Sequence, residues 1–289
     1  MANRPRRRSP RFVPVLTAAL VLLVTALPAP VEGQNARPRR VLTLEEVRAI
    51  PRYRLDSIGD YRWAAAAALS VIERELRFPT LQGEIHFYPR GDALKSALVA
   101  EGHSSATADA AVGLMDGISS AGRVRINVDA MYDLAWPARI WVLAHELTHI
   151  AQYQLAGGRR GSSPQWLREG TAEWVGLRVL ETLGRGATTP ALKTAGRQLE
   201  RTAKTRPLPL LADLASPSSW IRRAAEWSHR PIYDLSLVAA GDLIERHGLG
   251  RMLDYFAAFA RSDEASANFR LCFGEETAKF EARFDARFR

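Results

Sequence analysis

The chain begins basic and turns apolar. Arg4, Arg6, Arg7, Arg8 and Arg11 precede an apolar stretch from Phe12 to Leu27, which Pro28, Pro30, Gly33 and Gln34 then break. A basic head, a short apolar middle and a small-residue exit are the layout of an export leader. Sixteen residues interrupted by Pro14 fall short of the roughly 20 apolar residues of a membrane span. The expectation is therefore a signal peptide over 1–33, cut near Val31-Glu32-Gly33, with an uncleaved anchor as the alternative. Residues 34–59 follow as an N-terminal segment that could act as a prosegment.

Beyond it the periodicity becomes helical. Thr43 and Glu46 form a capping-box pattern that opens a short helix through Ile50, and Pro51 ends it. Trp63, Ala67, Val71 and Leu76 recur near helical spacing and predict a helix over 61–77, stopped by Pro79. The period then drops to two, and residues 84–88 and 123–128 are the two predicted strands. Between them, residues 91–116 predict two short helices broken at Gly102. From Pro137 onward the pattern is helical over 137–156, 164–184, 189–204, 232–247, 249–261 and 275–288. Few strands first and many helices later give an α+β, predominantly helical chain: an α+β lobe over 60–157 and an all-helical lobe over 158–289.

Composition narrows the function classes. The chain has 289 residues and a formal charge of +9, but residues 1–40 hold eight Arg against one Glu, so the remainder is nearly neutral. That argues against nucleic acid as a partner, and against stable membrane contact unless the leader stays uncleaved. The single cysteine, Cys272, excludes an intramolecular disulfide framework and a multi-cysteine metal site; its expected place is buried.

The chemistry concentrates in one predicted helix, where His145-Glu146-Leu147-Thr148-His149 is an H-E-x-x-H pattern. At 100° and 1.5 Å per residue, the two imidazoles stand about 40° apart and about 6 Å apart along the axis, within reach of one cation. Glu146 projects beside that cation without needing to bind it, which suits a general base acting on water. A catalytic zinc needs a third protein ligand and an open fourth position. Gln152 and Leu155 stand where a metzincin would have Gly and His, so that class is excluded. The next predicted helix carries Glu169 and Glu173 at i and i+4 among apolar residues. Two carboxylates there are costly to bury without a neutralising charge, so Glu169 is assigned as third ligand and Glu173 as the acceptor that orients an imidazole.

His145 to His149 and, with Glu169 following His149 after 19 intervening residues, Trp166-Leu167-Arg168-Glu169-Gly170-Thr171-Ala172 resemble the glutamate zincins, the peptidase MA-like families related to aminopeptidase N. The resemblance is strong over 142–175 and fainter elsewhere in 80–289. The spacing is one residue longer than in aminopeptidase N, a difference that the loop 157–163 can absorb. The resemblance implies zinc on His145, His149 and Glu169, Glu146 as base, a zincin-like fold for the first lobe, and a peptide or protein substrate. It also implies an oxyanion donor from the later lobe, for which Tyr233 and His229 are the candidates, and a strand beside the substrate, for which 125–129 is the natural place. Residues 113–117 resemble the G-x-M-E-N box of the aminopeptidases but lack its Glu and Asn, which favours an endopeptidase over an aminopeptidase. The expectation is an exported, secreted or periplasmic zinc peptidase. The rival reading is a non-catalytic zincin-fold binding or assembly module outside the cytoplasm.

Overall fold

The computed structural model of the chain describes residues 18–21, 38, 40–51, 59–227 and 229–289. The expected leader and its cleavage site lie outside the described residues except for Ala18–Val21, and residues 34–59 are described in part. Among the described residues no helix is long and apolar enough to cross a membrane.

Local chemistry sets the first elements. Thr43 Oγ1 accepts from the Glu46 amide at 3.2 Å, and Glu46 Oε2 accepts from the Thr43 amide at 2.8 Å, so the expected capping box starts helix α1 (Leu44–Arg48). Helix α2 (Tyr61–Ser70) is capped by Asp60, whose carboxylate accepts from the Arg62 amide. It continues into a π-helical turn over Val71–Glu75.

Five short strands form one mixed sheet: β1 (Ala18–Val21), β2 (Arg40–Thr43), β3 (Glu84–Tyr88), β4 (Met115–Ser120) and β5 (Arg123–Asn127), in the order β1-β4-β5-β3-β2. Strands β3 and β5 are the expected pair and run parallel, joined through α3 (Gly91–Ala100) and α4 (Ser105–Leu114). Strand β4 was not expected: the sequence pattern assigns residues 91–116 to two short helices and residues 117–120 to no element. It becomes a strand through antiparallel pairing with β5 across a two-residue turn. Gly122 takes φ +72° in that turn, a conformation that favours glycine. The expectation that residues 125–129 flank a substrate is corrected here: β5 is bonded on both sides, by β4 and β3, and has no free edge.

The helices α5 (Trp136–Leu155), α6 (Gln165–Thr182), α7 (Thr188–Ala203), α8 (Pro217–Trp227), α9 (Arg230–Ala258), α10 (Ala265–Phe273) and α11 (Thr277–Asp285) complete the predominantly helical α+β fold. Gly248, at φ 82° and ψ 155°, breaks α9 where the sequence pattern separates two helices. Helices α8 and α10 were not expected. Ser216 opens α8, its Oγ accepting from the Ser219 amide, and Pro217 occupies the first turn where its missing N–H costs nothing.

Helix α5 is buried continuously from Ile140 to Tyr153. It packs between β4, α2 and α6, and α6 packs in turn on α9. Gly170 permits the α6–α9 approach, because a Cβ there would lie 2.0 Å from the Ser236 carbonyl oxygen. Two apolar clusters meet along α6: Trp166 and Leu167 join that of the C-terminal helices, whereas Val175, Val179 and Leu180 join that of β3, β5, α2 and α5. Cys272 is buried.

Candidate metal centre

A helix buried on all sides cannot hold two imidazoles and a carboxylate unless each polar atom finds a partner. On α5, His145 and His149 are one turn apart, and α6 brings Glu169 against both; all three are at most 1% exposed. The facing Nε2 atoms of His145 and His149 are 3.1 Å apart. Glu169 Oε2 lies 3.3 Å from His145 Nε2, and Glu169 Oε1 lies 3.5 Å from His149 Nε2. Ligands at zinc-like bond lengths on a tetrahedral ion stand about 3.3 Å from one another, so the group has the size of a coordination triangle and could hold a metal ion.

The outer ring nitrogens fix which face of each imidazole points inward. His145 Nδ1 lies 3.0 Å from Glu173 Oε1, the arrangement expected of Glu173. His149 Nδ1 lies 2.9 Å from Gln152 Oε1, and Gln152 Nε2 donates to the Arg168 carbonyl at 2.9 Å. Both contacts favour the Nδ1–H tautomer, in which Nε2 is the atom that could bind a cation. Gln152 figured in the sequence only as a departure from the metzincins; its position three residues after His149 was the signal for this role.

Glu146 is fully buried beside the triangle. Its Oε2 accepts from Ser119 Oγ of β4 at 2.5 Å, and its Oε1 has no donor among the described residues. Gly117 makes room for it, since a Cβ there would stand 2.7 Å from Glu146 Oε1. Ser119 was not legible in the sequence, because β4 itself was not, and Gly117 stood there only as the last residue of the 113–117 segment. Strand β4 also holds Asp116, 3% exposed with an unpaired Oδ2. The segment that resembles the aminopeptidase box thus does reach the site, although its residues depart from that box.

Burial and charge divide these acids. Burial alone would raise Glu169, but the His149 charge and bonds from both imidazoles outweigh it and hold its pKa at about 2. Burial raises Glu146 to about 7, with His145 and the Ser119 bond opposing. It likewise raises Glu173 and Asp116 to about 7. His145 is depressed by burial yet carried to about 10 by Glu169 and Glu173, whereas burial leaves His149 below its ordinary value. Glu169 is thus held ionised, whereas Glu146, Glu173 and Asp116 are all raised toward neutrality.

Tyr233 of α9 is 1% exposed, with its ring centroid 6.4 Å from that of His145 and edge-on to Trp220 at 5.1 Å. His229 caps the same helix with φ 61°, a left-handed conformation rare outside glycine, and its carbonyl accepts from the Tyr233 amide at 3.1 Å. The structure therefore brings Tyr233 to the triad and makes His229 part of the turn that starts its helix. Arg125, within the expected substrate strand, is buried and paired with Glu101 at 2.5 Å.

Comparison with protein-family models, curated proteins and solved structures found no match. What the site can do rests on its own geometry: a buried triangle of two imidazoles and a carboxylate, a second buried carboxyl and a tyrosine.

Proposed function

We propose that the chain is an exported zinc-dependent peptidase that hydrolyses peptide bonds within a protein or peptide substrate, with His145, His149 and Glu169 as zinc ligands. The observation that carries this reading is the triangle of 3.1, 3.3 and 3.5 Å edges with the unpaired Glu146 Oε1 beside it. When bound, the ion supplies a Lewis acid and an acidified water. Glu146 Oε1 takes the proton of the attacking water and hands it to the departing amine, while Ser119 holds the other oxygen still. Glu173 and Gln152 keep both imidazoles in the tautomer that presents Nε2 inward. The Tyr233 hydroxyl donates to the oxyanion that develops on the scissile carbonyl.

Full burial of the ligands is the observation that favours a second reading, a non-catalytic module built on a structural metal. Strand β1 bears on the choice. It runs along the outer edge of β4 and against α5, the two elements carrying Ser119, Glu146 and the histidines, and it belongs to the leader expected to be removed. Its removal frees the β4 edge to pair with an extended peptide. The test uses the chain from residue 34 with a denatured protein mixture as substrate. Cleavage that o-phenanthroline abolishes and zinc restores supports the peptidase; bound metal without any cleavage refutes it in favour of the second reading.

A further inference from the structure

The metal triangle leaves a cationic pair unexplained. Arg168, one residue before Glu169, is 0% exposed. Its Nη1 donates to the Arg160 carbonyl at 2.9 Å, but Nε and Nη2, the edge that grips an anion, have no acceptor among the described residues. Beside it is Arg160, whose Nη1 and Nη2 donate to the Gly161 carbonyl and to Gln165 Oε1 and whose Nε is buried without an acceptor. The hydroxyl of Tyr255, a fully buried residue on α9, is unpaired too, and that ring interacts electrostatically with both guanidiniums. Ser163 Oγ, in the loop between the two arginines, is a further buried donor without a partner.

Buried guanidiniums need a counter-charge. The carboxylate whose charge reaches both is Glu169, and its oxygens already face His145 and His149. Five buried atoms that can donate, three of them on guanidiniums and none matched by an acceptor among the described residues, are what an anion site would present.

We propose that Arg168 Nε and Nη2, Arg160 Nε and the Tyr255 hydroxyl bind one small monovalent inorganic anion of chloride size. Arg168 is 0% exposed, which favours a monatomic ion at its free edge over a substrate carboxylate or a phosphate, both of which would need more room there. The anion fixes more than the arginines. Gln165 accepts from Arg160 and donates through Nε2 to Glu169 Oε1 at 2.7 Å, so the anion steadies the carboxylate that faces the two histidines.

Two measurements on the full chain decide it, both on chelator-treated protein so that neither depends on peptidase activity. Crystals grown in bromide should show an anomalous peak beside Arg168 Nε and Nη2. Replacing gluconate by about 150 mM chloride at constant ionic strength should raise the melting temperature by about 3–5 °C, the size that a site of roughly 10 mM affinity gives in a domain of this length. Arg160→Gln, which leaves the Arg168 fork in place, should lose most of that rise. A water in place of the peak, or identical melting in gluconate and chloride, overturns the proposal.

Discussion

Glu146 is placed where it is useful and uncomfortable. The ordinary carboxyl pKa is 4.5 and burial carries this one to about 7, so the folded protein holds the protonated form more firmly than the unfolded chain does. For an acid whose folded pKa is raised, the stability contributed is complete below the unfolded value and is lost as pH rises through the folded one. The window runs from about pH 4.5 to about pH 7, and with no exposure to discount, the shift corresponds to about 3 kcal/mol of lost stability at pH 8. Glu146→Gln keeps the shape and removes the charge. Urea unfolding of the metal-free variant should show a gain of about 3 kcal/mol at pH 8 and under about 1 kcal/mol at pH 5. The same variant should lose 10²–10⁴-fold or more in peptide hydrolysis, roughly the contribution of a general base, with zinc binding intact. A variant that is less stable at pH 8, or that gains equally at both pH values, refutes the electrostatic argument; unchanged turnover refutes the role as base.

Tyr233→Phe removes one oxyanion donor and should lower kcat by about 10²-fold with KM little changed; an effect confined to KM would assign the tyrosine to substrate binding. Gly170→Ala would place a Cβ 2.0 Å from the Ser236 carbonyl, and the forced separation of α6 from α9 should cost about 1–3 kcal/mol in chemical denaturation; a neutral result would show that the two helices yield easily. Because β1 covers the β4 edge, the chain from residue 34 should cleave a protein substrate faster than the full chain, and equal rates under identical metal loading would remove β1 as an obstruction.

The sequence carried the two histidines and the two glutamates because each pair is a matter of helix geometry, while the meeting of Glu169 with the histidines was an expectation from burial cost and from the resemblance. His149 follows His145 by four positions and Glu173 follows Glu169 by four, and a helix turns each pair to one face whatever surrounds it. The capping box at Thr43 and the break at Gly248 were equally local and equally legible. Strand β4 was not, because Asp116, Gly117, Ser119 and Ser120 have low strand preference and form a strand only by pairing with β5 and lying against α5. With β4 hidden, the Ser119 anchor of Glu146 was hidden too, and the substrate edge was assigned to β5, which the sheet order places in its interior. The start of α8 was masked in the same way by its Ser and Pro residues, which read as loop in isolation and act as a cap in place. Arg168 was visible as a letter in the motif, but nothing in a sequence tells that a guanidinium is enclosed.

The central claim is that His145, His149 and Glu169 grip a single divalent ion, and zinc absorption spectroscopy of the reconstituted protein tests it most directly. The account predicts one zinc per chain with two imidazole nitrogens and one carboxylate oxygen at about 2.0–2.1 Å, and no high-affinity zinc in His149→Ala or Glu169→Ala that remain folded. A stoichiometric ion that survives both substitutions, or a first shell without imidazole, would contradict it.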